Sequence, residues 1–345
     1  MSSHRENAEL IDLIRRRIRE DGPQPFAWFM EQALYHPEHG YYSSNRAMIG
    51  RCGDYFTNVS VGPLFGQLLA IQFVEMWERM GKPGSFCIVE QAAHHGEFAR
   101  DVLEFLRRQF PGFFSAVHYQ IVEPFPKLQQ QQSKTLAEFG GEVQWRESLG
   151  QLEPFVGIHF SNELLDAMPV NLRGKRVGLK GDQFVFVDSP QDEAPNQSQL
   201  DWIASVSIKL NRGFVLAIDY GLAGREFREA VQVRSRHRLL DSPFEEIGSA
   251  DITAHINWTE IAGAGEQNDL HVIGFTDQHH FLTGIISAFP EITAEEKSKR
   301  ALQTLLHPEM LGRSFQVLAL SKDIDLAMPL TGFKFARDAR KELGF

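Results

Sequence analysis

The residues best suited to chemistry stand at the ends of short apolar runs. "FCIVE" ends at Glu90, "HYQIVE" at Glu123, "GIHFSNE" at Asn162 and Glu163, and "FVLAIDYG" at Asp219, Tyr220 and Gly221. Glu123 lies one strand-helix-strand step beyond Glu90. A carboxylate at the end of a second strand accepts hydrogen bonds from both hydroxyls of a ribose, so its position points to a nucleoside-containing cofactor. The plain alternative is a solvated acid followed by the loop-starting Pro124. Asp166 follows Glu163 by three residues, and a turn of helix there would bring the two carboxylates to one side. A helix cap at Asp166 and a solvated Glu163 are the bland counterpart. His94 and His95 diverge on a loop and lie in no H-x-x-x-H or H-E-x-x-H pattern, so no metal site is expected. His255 is a proton acceptor or a hydrogen-bonded structural histidine.

The elements that must hold these residues follow from the hydrophobic pattern. From Phe86 onward, short apolar runs alternate with amphipathic stretches, which is the texture of an open parallel sheet with helices between its strands. In such a sheet ligands sit beyond the carboxyl ends of the strands, where strand order reverses, and that is where the acids fall. Phe98, Val102, Phe105 and Leu106 recur at helical spacing in "EFARDVLEFLRRQF". "VQW" is a weaker strand, "LHVIGF" and "SFQVLALS" are the last two, and "DQHHFLTGIISAF" is a helix between them. "KRVGLKGDQFVFVD" reads as a hairpin turning at Lys180, Gly181 and Asp182, followed by the polar loop "SPQDEAPNQSQ". The first part, residues 1–84, is helical and loop-rich, with Leu10, Ile11, Ile14 and Ile18 on one face of its first helix.

Composition bounds the function. A chain of 345 residues with 43% hydrophobic and 23% charged residues has ample material for a core. A net charge of -10 argues against a general nucleic-acid binder and leaves room for a cationic partner. Cys52 and Cys87 make no disulfide framework, which suggests a reducing, cytoplasmic home. No apolar run approaches the ~18 residues that a membrane span needs, and the N-terminal stretch lacks a signal-peptide core. Neither a G-x-S-x-G elbow nor a P-loop is present to support hydrolysis or phosphoryl transfer.

Several stretches, in order, carry a family resemblance: "ALYHPEHGYY" (Ala33 to Tyr42), "GDYFTNVSVGPLFGQLL" (Gly53 to Leu69), "IVEP", "NELLDAMPV" (Asn162 to Val170), "AIDYG" and "ADITAHINW" (Ala250 to Trp258). The chain resembles the MidA-type class I S-adenosylmethionine-dependent methyltransferases, which include the mitochondrial complex I assembly arginine methyltransferase. The resemblance implies an α/β fold with a Rossmann-like, mostly parallel sheet and helices on both faces. An N-terminal region, 1–84, would cover the site, and domain 85–345 would carry insertions at about 171–210 and 222–257.

It further implies S-adenosylmethionine as cofactor, bound by Glu90, Ala92, Gly96, Glu123 and Asn162. Glu163, Asp166, Asp54 and Tyr220 would be the catalytic set. The resemblance also implies an arginine of a protein acceptor as substrate, such as a subunit of a respiratory complex or other assembly, and paired carboxylates are able to hold a planar guanidinium bidentately. Membrane and nucleic-acid partners are not expected, and a homodimer stays open. The departure is at the cofactor loop. The family pattern E-L-G-P-G-x-G is replaced by Glu90-Gln91-Ala92-Ala93-His94-His95-Gly96, and its "SPE" by Asn58-Val59-Ser60. Ala92 is tolerable if its φ is negative, whereas His94 swings outward, stacks on the ligand or fills the pocket. An inactive descendant serving as an interaction or assembly module is therefore the competing reading.

Overall fold

A computed structural model describes residues 7–44, 57–190, 194–236, 238–293 and 296–345. Contacts divide the chain into two units, the first Met1–Thr57, Leu165–Asp201 and Arg228–His255, the second Asn58–Leu164, Trp202–Phe227 and Ile256–Phe345. Residues of the expected N-terminal region thus fall in both.

The second unit is organised by a sheet whose main path has seven strands. They are β1 (Phe86–Gln91), β2 (Val117–Val122), β3 (Val143–Arg146), β4 (Phe155–Asn162), β5 (Leu210–Leu222), β6 (His271–Asp277) and β7 (Phe315–Lys322). Their spatial order is β6-β7-β5-β4-β1-β2-β3, and the short segment Ile256–Asn257 adds to β5. β1 to β5 are parallel, while β7 runs antiparallel between β5 and β6. The chain builds outward from β1 through β2 and β3, then returns to the other side of β1 with β4. The switch point is therefore between β1 and β4.

The central strands are almost wholly buried, as near-continuous apolar runs require in a sheet covered on both sides. The helices Leu64–Arg79 and Glu97–Gln109 meet through Phe65 and Phe98, and Phe98 stacks on Phe160 of β4 with centroids 4.5 Å apart. At the start of the sheet, Cys87, Gly157 and Gly213 lie side by side in adjacent strands. A Cβ on Gly157 would sit 1.9 Å from the Cys87 carbonyl oxygen, so only glycine allows this approach.

The first unit has its own core. Leu10, Ile11, Ile14 and Ile18 of the helix Ala8–Asp21 bury their stripe against a cluster that includes Phe26, Phe29, Val177 and Ile252. The hairpin Lys175–Lys180 and Gln183–Asp188 pairs with Gln24–Pro25, and a second small sheet joins Val231–Ser235, Arg238–Leu239 and Asp251–Ala254. The polar stretch expected as loop ends in a helix, Gln197–Lys209.

Candidate functional site

The loop after β1 decides whether a nucleotide-like ligand fits at the switch point. Ala92 has φ +63° and His94 φ +45°, and Gly96 follows at φ +85°. The condition set for tolerating Ala92, a negative φ, is therefore not met: the backbone is left-handed at Ala92 and His94, two of the positions where the family pattern has glycine. Each such non-glycine residue costs about 1–2 kcal/mol. The Ala92 methyl is exposed, so it meets no crowding within the chain. His94 neither swings outward nor stands alone, because its ring stacks on His95 at 3.7 Å between centroids. Burial lowers its pKa to about 3, and its Nε2 is buried with no hydrogen-bond partner among the described residues.

Two glutamines fasten this loop. The Gln132 side chain, fully buried on the helix Pro126–Thr135, donates to the His94 carbonyl at 2.8 Å and to Glu123 Oε2 at 3.1 Å. Its Oε1 accepts from the Trp145 indole at 2.9 Å. Gln91 Oε1 accepts from the Trp202 indole at 2.9 Å and lies 2.9 Å from His159 Nε2. The loop-to-helix turn closes with the Gly96 N–H on the Ala93 carbonyl at 2.7 Å.

Glu123 stands just past β2, as the sequence placed it. Its Oε1 accepts from the Phe125 N–H at 3.0 Å, and burial raises its pKa to about 7 against the pull of that bond and of Gln132. Glu90 lies inside the sheet, where its Oε2 accepts from the Tyr119 hydroxyl at 2.7 Å. Burial pushes its pKa to about 8, so it holds a proton at neutral pH.

The end of β4 forms a second polar cluster. Asn162 Nδ2 donates to Glu163 Oε1 at 2.8 Å, and Asn58 Nδ2 donates to Asn162 Oδ1 at 2.9 Å. Gln278 donates in turn to Asn58 Oδ1 at 2.8 Å. Glu163 has φ +55°, and residues 163–168 form bends and a turn rather than helix. The helical turn expected to align Glu163 with Asp166 is therefore absent, because a left-handed residue cannot continue a right-handed helix. Asp166 belongs to the first unit, buried, with its carbonyl accepting from the Ala254 N–H at 2.8 Å. Asp219 ties β5 to the chain after β4 by accepting from the Leu164 N–H at 2.9 Å and the Tyr220 N–H at 2.7 Å. The Tyr220 ring packs on Phe315 at 3.9 Å between centroids. Asp54 lies outside the described residues.

Ligand atoms of His94, His95 and Glu97 fall within 4.8 Å of one another, a grouping the sequence reading set aside as a metal site. The stacked imidazoles, 29° between planes, direct their in-plane lone pairs alongside one another rather than toward one point. Asn58, Gln132 and Gln278 were missed by sequence reading. Only the altered Asn58-Val59-Ser60 segment carried a signal for one of them.

The strand order and the left-handed loop at the switch point define a class I methyltransferase sheet. A family described as "Putative S-adenosyl-L-methionine-dependent methyltransferase" matches residues 68–197 and 185–276, and the chain belongs to that family. Among its relatives is "Protein arginine methyltransferase NDUFAF7 homolog, mitochondrial" of Drosophila melanogaster, 26% identical over 395 residues, covering 95% of this chain and 89% of the relative. The Homo sapiens "Protein arginine methyltransferase NDUFAF7, mitochondrial" is 24% identical and covers 95% and 86%. A COG1565 superfamily member from Burkholderia thailandensis, solved bound to S-adenosyl-homocysteine, has a TM-score of 0.83 and 28% identity, covering 97% of this chain and 96% of that one.

These relatives overturn the expected cytoplasmic home, since both curated proteins are named mitochondrial. Sparse cysteines do not single out one compartment. Among the described residues no helix is long and apolar enough to cross a membrane.

Proposed function

We propose that this chain transfers a methyl group from S-adenosylmethionine to an arginine side chain of a protein acceptor. The observation that carries the reading is the loop after β1. Its backbone is left-handed at Ala92, His94 and Gly96, which supports a cofactor cradle at this loop despite the loss of two family glycines. The names of the arginine methyltransferase relatives support the acceptor.

When bound, the cofactor supplies a sulfonium methyl that is already activated for transfer. The chain's own task is then mainly alignment, from which much of the rate in such reactions derives. Glu123 would hold the ribose hydroxyls, and Ala92 and Gly96 would let the loop backbone approach the ligand, with Glu90 and Asn162 completing the cofactor side. Glu163 is poised for the acceptor, since the Asn162 amide and the Asn58 N–H, 3.4 Å away, orient its Oε1. Its carboxylate can bind a guanidinium through charge-assisted hydrogen bonds. Tyr220 is the remaining proposed acceptor-side residue of the second unit, Asp166 and Asp54 are named for that side by the family resemblance alone, and a subunit of a respiratory or other assembly is the acceptor that the resemblance favours.

Isothermal titration with S-adenosylhomocysteine tests the first half of this reading, and mass spectrometry of arginine-bearing peptides after incubation with S-adenosylmethionine tests the second. Saturable binding and a gain of one methyl mass on arginine are expected. Absence of binding at millimolar ligand would overturn the function.

A further inference from the structure

We propose that Gln132 is the positioning residue that lets a glycine-poor loop keep a cofactor-competent shape, with Gln91 as its second anchor; this rests on the cofactor reading above. Ala92 and His94 hold left-handed conformations that their side chains disfavour, so something outside the loop must fix them. Gln132 touches the loop at the carbonyl of His94, one of the two strained residues. The same amide group reaches Glu123, and so couples loop position to the carboxylate proposed to hold the ribose.

The orientation of Gln132 is over-determined. An indole N–H can only donate, so Trp145 forces Oε1 toward itself. The amide nitrogen must then face the His94 carbonyl and the Glu123 carboxylate, both of which accept. Two donor hydrogens and one oxygen are all engaged, and the residue is fully buried, so no solvent competes for them. Gly96 is packed into the same corner: a Cβ there would lie 3.4 Å from the Gln132 Cα.

Gln91 is held by the same logic on the other side of the loop. The Trp202 indole fixes its oxygen, and His159 Nε2 therefore carries a hydrogen and donates to that oxygen as well. Burial lowers the His159 pKa to about 3, which keeps this ring neutral. The strained residues thus lie in a segment fastened at Gln91 before them and at the His94 carbonyl within them.

Substituting the strained residues with glycine should make the clamp dispensable, a result that a merely structural glutamine would not produce. Titration with S-adenosylhomocysteine is run on the wild-type chain, Gln132→Leu, A92G/H94G and the triple variant. Gln132→Leu is expected to weaken binding by about tenfold or more, and the triple variant to return to within about threefold of A92G/H94G. Equal affinity of Gln132→Leu and wild type, or a triple variant as weak as Gln132→Leu, overturns the proposal. If Gln132→Leu does not fold, Trp145→Phe takes its place. It frees the amide to turn, and about threefold weakening recovered by A92G/H94G is expected.

Amide hydrogen exchange of the cofactor-free chain separates this proposal from the function. Gly96 N–H, bonded to Ala93, should exchange about tenfold faster in Gln132→Leu, or in Trp145→Phe where that variant replaces it, with the β1 amides unchanged. Equal exchange at Gly96 overturns the clamp whether or not the wild type binds ligand. Faster exchange without binding in any variant supports the clamp and removes the cofactor reading.

Discussion

Each carboxylate oxygen of Glu123 already accepts one hydrogen bond, which fixes the group and leaves lone pairs for ribose hydroxyls. Glu123→Ala should raise the dissociation constant for S-adenosylhomocysteine by about tenfold to a hundredfold, read by calorimetry, because hydrogen bonds to a charged group contribute about 1.5–3 kcal/mol. Glu163→Gln keeps the size of the side chain and deletes its charge. It should lower kcat on an arginine peptide by about a hundredfold while the cofactor affinity stays within about threefold, separating the two ends of the site. Glu123 was legible in the sequence because a strand end and its spacing announce it. Gln132 was not, since its partners come from the loop after β1 (His94), the chain just past β2 (Glu123) and strand β3 (Trp145), and no local spacing joins them. The left-handed φ of Ala92 was equally hidden, as alanine carries none of the signal that glycine would.

At the scale of elements, β1 and β2 share a buried acid. Glu90 holds its proton up to about pH 8 in the folded chain, whereas an ordinary glutamate releases it near 4.5. The folded state therefore binds more protons between those values. The stability contribution is fully present below pH 4.5 and is lost as the pH rises through about 8. Glu123, raised to about 7, acts in the same direction over a narrower window. The melting temperature should fall between pH 5 and 8.5, and Glu90→Gln, which still accepts from Tyr119, should flatten that fall. Thermal scans in matched buffers check it. Gly157→Ala drives a methyl into the Cys87 carbonyl across the β1–β4 seam, and urea unfolding should report a loss of at least about 3 kcal/mol. The strands themselves were readable from apolar runs, because parallel strands buried on both faces have little polar alternation to confuse them. The chain after β4 departs from expectation because a sequence rich in helix formers, Leu164 to Met168, follows the left-handed Glu163, which periodicity does not encode.

For the whole molecule, the net charge of -10 sets the long-range field met by an acceptor. A basic, arginine-bearing peptide is steered toward such a surface, and salt screens that steering. Raising NaCl from 50 to 300 mM should lower kcat/KM for a basic peptide several-fold and shift S-adenosylhomocysteine affinity less, a comparison made by initial rates and calorimetry. The family assignment rests on a match across residues 68–276, which spans strands of the sheet and most of the segments that interrupt it.

The bridge that Gln132 makes to the His94 carbonyl also constrains the order in which this loop could have changed over descent. An ancestor with glycines at positions 92 and 94 had no need of the bridge to the loop, so an amide at position 132 could arise through its bond to Glu123 alone. Loss of those glycines before it would have exposed their strain to selection. Lineages that retain both glycines should therefore vary more at position 132 than those that share the alanine and histidine, which should keep a side chain there able to donate.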